Sequence, residues 1–222
     1  MYKSKIQVLL ADDHTIIREG LKQILADTGD ISVEGEAANG NEVIARVRER
    51  DWDVVVLDIS MPGRSGLDLI KILKNEKPEL QILILSMHHE EQYAVRALHA
   101  GAAGYLTKES DSDVLISAIR RIAYGGVHIS DNVARLMVRG IRPSAEPLPH
   151  TRLSDREYQV FNMLVAGLGL TEIGERLSLS VKTISTHKTH ILEKMQLANT
   201  AELIHYAISN QLAAAIHPVT DD

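Results

Sequence analysis

The sequence contains no cysteine, which excludes a disulfide framework and any thiolate metal site and fits a reducing cytoplasm. No apolar run reaches the roughly 18 to 20 residues that a membrane span needs. The N-terminus carries no apolar core followed by a small-residue cleavage site, so neither a leader nor a membrane partner is expected. Proline is scarce, and three of its six occurrences, Pro143, Pro147 and Pro149, fall close together. Excess positive charge is also missing. A formal net charge of −6 argues against a surface coated in nucleic acid, so any basic patch must be local. What remains is ordinary for a globular protein: 222 residues, 45 % apolar and 24 % charged, enough for two modest domains.

From residue 5 to about 125, short aliphatic runs alternate with helical patterns. The runs are IQVLLA (6–11), VEGEAA (33–38), VVVL (54–57), ILILS (82–86) and GYLT (104–107). Between and after them lie IIREGLKQIL (16–25), NEVIARVRE (41–49), LDLIKILK (67–74), QYAVRALHA (92–100) and DVLISAIRRI (113–122), with apolar residues at helical spacing. Strands read as almost wholly apolar when helices cover both faces of a parallel sheet. Five such units predict a doubly wound α/β fold with a five-stranded parallel sheet. A further helical stretch, DNVARLMVRG (131–140), precedes the proline-rich GIRPSAEPLPHT (140–151), which reads as an extended linker. Beyond Leu153 the pattern is purely helical, which predicts a small all-α domain. The expected layout is 1–127, an extension and linker over 128–150, and a second domain over 151–215.

Ligands of doubly wound sheets collect beyond the carboxyl ends of the strands. Asp12 and Asp13 follow the first run, Asp58 the third and Lys108 the fifth, while Ser86 closes the fourth. Three carboxylates at one rim repel one another unless a cation intervenes, and oxygen ligands suit a hard ion such as Mg²⁺. An aspartate in that setting can attack phosphorus, with metal and lysine neutralising charge. The plainer alternatives are Asp13 as a helix N-cap and Lys108 as a solvated loop residue. A phosphohydrolase is a rival from another class, but such enzymes commonly place a second acid two residues after the nucleophile, and Ser60 stands there. His14 is assigned to the rim of the pocket.

The series ADDH…LDISMPGRSGLD…LS…GYLTK resembles the receiver domain of bacterial two-component response regulators. The resemblance implies that Asp58 is the phosphoacceptor, receiving its phosphoryl group from a sensor histidine kinase. It implies that Asp12, Asp13 and Asp58, with the Ser60 backbone carbonyl, hold Mg²⁺. Lys108 and Ser86 would meet the phosphoryl oxygens, and Tyr105 would be the switch aromatic, half-buried at rest. Pro62 and Gly63 make a turn that caps the pocket. His88 and Ser60 are expected to tune the lifetime of the acyl phosphate, with His89 nearby.

In TEIGERLSLSVKTISTHKTHILEKM (171–195) two helical patterns meet at a tight break. Ile173, Leu177, Leu179, Ile184, Ile191 and Leu192 are spaced for burial, and Ser180 is placed to cap the second helix, as in a helix-turn-helix. Residues 178–195 carry three lysines against one acid, whereas 148–222 as a whole is net acidic. Positive charge is therefore concentrated where a phosphate backbone would be met. LSDREYQVFNMLVAGLGLTEIGERLSLSVKTISTHKTHILEKM is similar to the LuxR-type DNA-binding domain of NarL/FixJ response regulators. That similarity implies a non-enzymatic transcription factor that binds double-stranded DNA as a homodimer on inverted half-sites. Ser185, Thr186 and Thr189 would face bases, Lys182 and Lys188 would lie mainly on phosphates, Thr183 would belong to the same DNA-binding set, and Glu157 would be structural. Leu203, Ile204 and Ala207 of the last helix are expected to form a dimer face.

Overall fold

A computed structural model of the chain describes residues 5–61, 66–87, 90–141, 148–177, 179–210 and 212. It divides into two compact units, Met1–Ile141 and Arg142–Asp222. In the first, strands β1 (Ile6–Ala11), β2 (Ile31–Ala37), β3 (Val54–Leu57), β4 (Gln81–Ser86) and β5 (Gly104–Thr107) alternate with helices. These are α1 (Thr15–Ala26), α2 (Gly40–Glu49), α3 (Gly66–Glu76), α4 (Glu90–Ala100) and α5 (Ser112–Ala123). All neighbouring strands are parallel, in the order β2-β1-β3-β4-β5.

Side chains alternate across the sheet. On one face Ile6, Val8, Leu10, Val54, Val56, Leu83, Leu85 and Leu106 pack with Leu21 and Leu25 of α1 and with Leu115, Ile119 and Ile122 of α5. The alternate residues Leu9, Val55, Leu57, Ile82 and Ile84 are buried on the opposite face. Full burial of such a side chain contributes about 1.5–3 kcal/mol, so both layers drive formation of the sheet. Strand order reverses between β1 and β3, which opens a crevice beyond their carboxyl ends.

Past α5 the chain returns to the sheet. His128 pairs with Gly104, its amide donating to the Ala103 carbonyl at 2.9 Å. Helix α6 (Asp131–Ile141) then packs on α4, with Val133 buried. This added cover accompanies one departure from expectation: Tyr105 on β5 is 1 % exposed, fully buried rather than half-buried.

The second unit holds α7 (Asp155–Val165), α8 (Leu170–Leu177), α9 (Val181–Met195) and α10 (Thr200–Ser209). Its core includes Tyr158, Phe161, Ile173, Leu177, Ile184, Ile191, Met195, Leu203 and Ala207. Two sequence expectations are corrected here. Pro149–Arg152 forms a 3-10 helical turn rather than extended linker, because the fixed φ of proline suits the first position of a helical turn. Pro143 and Pro147 lie outside the described residues. Leu203 and Ala207 do not form a free dimer face. They are fully buried within their own unit, whose α10 packs on α7, whereas Ile204 is half-buried and the large apolar residue Ile208 is 57 % exposed.

Candidate functional site

The carboxylates are placed by backbone ladders that run past the strand ends. Asp12 donates its amide to the Ala37 carbonyl (3.1 Å), Asp58 to Ala11 (2.8 Å) and Lys108 to Ser86 (2.8 Å). Each aspartate then folds back on the chain that follows it. Oδ1 of Asp12 accepts the His14 amide at 2.9 Å, and Oδ1 of Asp58 accepts the Ser60 amide at 2.8 Å. Such short-range turns leave the second oxygen of each carboxylate facing the crevice.

Lys108 takes those second oxygens. Its Nζ lies 2.6 Å from Asp12 Oδ2 and 2.7 Å from Asp58 Oδ2, and the side chains are only 6 %, 5 % and 2 % exposed. Burial disfavours the ammonium, but the hydrogen bonds to Asp12 and Asp58 outweigh it and hold the Lys108 pKa above the ordinary lysine value. Lys108 is thus a buried bridge between carboxylates, not the solvated loop residue of the plainer alternative. Ser86 is buried beside it in sequence register, at the end of β4.

Asp13 does not serve as the N-cap of α1. His14 occupies that position without a side-chain cap bond. Its Nδ1 instead sits 3.0 Å from Asp13 Oδ1 and 3.2 Å from Asp12 Oδ1, while the ring stays exposed at the rim. Asp12, Asp13, His14 and Asp58 bring one donor atom each within 4.8 Å of one another. Pro62, Gly63, His88 and His89 lie outside the described residues.

Two contributors escaped sequence reasoning. Arg18 on α1 donates from Nη1 to the Asp12 carbonyl (2.6 Å) and from Nε to Glu36 Oε2 (2.9 Å), which fixes the peptide joining Asp12 to Asp13. Glu36, drawn mainly by Lys22 and then Arg18, has its pKa lowered. A cation near a helix N-terminus opposes the helix dipole, and that misplaced charge was the available signal. Gly66 is the other. A Cβ there would stand 2.4 Å from the Ile59 Cα, so the start of α3 presses on the backbone beside Asp58 in a way only glycine allows.

The second candidate surface is α9. Ser180 caps it, its hydroxyl accepting the Thr183 amide at 3.1 Å. The preceding turn is closed by the Leu179 amide on the Gly174 carbonyl (2.8 Å), where a Cβ on residue 174 would meet the Leu179 oxygen. Ile184 and Ile191 bury one face, and Lys182, Ser185, Thr186 and Thr189 are exposed on the other. Lys188 and Thr183 are half-buried, with Thr183 Oγ1 tied to Ser180 Oγ at 2.8 Å.

Glu157 anchors this helix from α7. It closes a capping box with Ser154 and accepts Lys194 Nζ at 2.7 Å. Burial raises its pKa, but the bonds from Lys194 and Ser154 prevail and leave it below the ordinary value. A depressed carboxyl stabilises the fold above its unfolded-state pKa and loses that contribution as pH falls through the folded one. The unit is therefore expected to lose stability below about pH 4.3. In calorimetry, Glu157→Gln should flatten that acid limb; a variant with an unchanged pH profile would remove the ion pair from the account.

Comparison with known proteins finds a family match for each of the two units. The family described as response regulator receiver domain matches residues 8–120. The bacterial regulatory proteins of the luxR family match residues 151–207. Response regulator UvrY of Escherichia coli K12 is 36% identical over 211 residues, covering 95% of this chain and 97% of its own. Oxygen regulatory protein NreC of Staphylococcus carnosus is 35% identical over 214 residues, covering 93% and 99%. Among solved structures, RcsB of Salmonella enterica serovar Typhimurium, bound to promoter rprA in the presence of the phosphomimetic BeF3−, matches with TM-score 0.64 at 27% identity, covering 92% and 100%. No helix among the described residues is long and apolar enough to cross a membrane. With a receiver unit and a LuxR-type helix-turn-helix unit in one chain, this protein belongs to the NarL/FixJ family of response regulators, a class of transcription factors rather than enzymes.

Proposed function

We propose that the chain is a cytoplasmic transcription factor switched by phosphorylation of Asp58, with a sensor histidine kinase as donor. The observation that carries this reading is the buried Asp58 carboxylate at the end of β3, sharing Lys108 with Asp12. Asp12, Asp13 and Asp58, with the Ser60 carbonyl, are assigned to Mg²⁺, and their oxygen-only chemistry fits a hard divalent ion. When bound, that ion would supply charge neutralisation for the carboxylates and for the oxygens of the transferring group.

The chain's own groups do the rest. One Asp58 oxygen forms the new bond to phosphorus as the bond to the kinase's imidazole nitrogen breaks. Lys108 then exchanges carboxylate for phosphoryl oxygens, and the Ser86 hydroxyl meets another. Movement of Ser86 and Tyr105 biases a two-state element that favours a homodimer. The dimer places two copies of α9 in the major groove on inverted half-sites about one helical turn apart. Lys182 and Lys188 are assigned mainly to phosphates, Ser185, Thr186 and Thr189 to base edges, and Thr183 to the same DNA-binding helix. The layout proposed is a receiver over 1–127, an extension over 128–150 and a DNA-binding domain over 151–215. Half-buried Ile204 and exposed Ile208, rather than Leu203 or Ala207, are the apolar groups α10 offers a second copy.

Sedimentation with and without acetyl phosphate and Mg²⁺ tests the reading. A shift toward dimers that needs both reagents is expected; an unchanged distribution would count against it.

A further inference from the structure

Two rows of exposed side chains run along α9. Val181, Ser185 and Thr189 recur every four residues, and Lys182, Thr186 and His190 form the adjacent row. Their hydrogen bonding separates residues that sequence alone treats alike. Thr186 Oγ1 donates to the Lys182 carbonyl at 3.0 Å, and Thr189 Oγ1 donates to the Ser185 carbonyl at 3.1 Å. A hydroxyl has one proton to give, and both are spent on the helix itself. What each threonine retains for a ligand is a methyl group and acceptor lone pairs. Val181, 45 % exposed at the start of the helix, adds two more methyls to the same row.

We propose that α9 reads thymine C5-methyl groups through Val181, Thr186 and Thr189, with the threonines acting as methyl surfaces rather than hydroxyl donors. This rests on the assignment of α9 to the major groove made above. Among the natural bases only thymine presents a methyl there, and apolar side-chain atoms are its usual partners. Guanine is most often read by a bidentate Arg or Lys, and Lys182 is the only such residue among the six. Half-sites with thymines opposite α9 follow from that inventory.

The experiment begins with the full-length chain, treated with acetyl phosphate and Mg²⁺ and used to select from a random duplex library. Each thymine of the enriched half-site is then replaced by uracil, which removes only the methyl. Affinity should fall about fourfold per contacted methyl, as expected for burying one such group. Thr189→Ser and Thr186→Ser keep the hydroxyl and lose the methyl, and each should erase the thymine-over-uracil preference at one position. Thr189→Val keeps the methyl and should retain that preference. An enriched site indifferent to uracil overturns the proposal, as does a preference that survives the serine variants and disappears with valine. A library that yields no enriched sequence overturns instead the assignment of α9 as the DNA-reading helix.

Discussion

Asp58→Asn is expected to take up no phosphoryl group from acetyl phosphate, where the natural chain is labelled to near one equivalent. The substitution changes little in shape. Its side-chain oxygen can still accept the Ser60 amide, and the ladder bond from residue 58 to the Ala11 carbonyl belongs to the backbone. What disappears is the anionic oxygen that would attack phosphorus, since an amide oxygen is a poor nucleophile. Lys108 loses one of its two carboxylates but keeps Asp12, so the unit should remain folded. The phosphorylation-dependent gain in dimer and DNA affinity should vanish with the label. Intact-mass measurement before and after acetyl phosphate reads the first effect, and sedimentation the second. Labelling of the variant to the natural level would remove Asp58 from the mechanism.

The second large effect concerns Lys108. Replacing it by methionine keeps most of the buried volume and deletes the charge between Asp12 and Asp58. Breaking a buried ion pair from one side typically costs about 3–5 kcal/mol, because the remaining charges are left uncompensated. Urea unfolding in the presence of a chelator should show a loss of that order for Lys108→Met. Divalent ions should restore more stability to the variant than they add to the natural chain, since Asp12 and Asp58 no longer have an internal cation. A variant as stable as the natural chain in chelator would mean that the two carboxylates do not depend on Lys108.

Much of this arrangement was legible in the sequence. Short, mostly apolar runs located β1, β3 and β5 to the residue, because a sheet covered on both faces leaves few polar interruptions. The start of β2 at Ile31 was missed, since Ser32, Glu34 and Glu36 break its apolar pattern. Strand-end positions brought Asp12, Asp58, Ser86 and Lys108 to one rim, as topology requires. Which partner each would take was not legible. The spacing gave no sign that Lys108 would bridge two carboxylates, because contacts between strand ends 50 and 96 residues apart depend on side-chain reach.

The apolar stripe of α10 shows a different limit. Periodicity marks Leu203, Ile204 and Ala207 as one face but does not say what covers it; α10 packs on α7 of the same unit, and Leu203 and Ala207 are buried there while Ile204 stays half-buried. Burial of Tyr105 was hidden for a related reason. The segment that lies beside β5 comes from residues beyond α5, where a short irregular stretch carries no strand pattern.

Phosphate on an aspartate can be fixed chemically: borohydride reduces the acyl phosphate to an alcohol, leaving homoserine where aspartate stood. Treating the full-length chain with acetyl phosphate and Mg²⁺, reducing it and mapping its peptides should place homoserine at position 58 and nowhere else, with none formed in chelator. Homoserine at position 12 or 13, or labelling that proceeds equally without a divalent ion, would contradict the account.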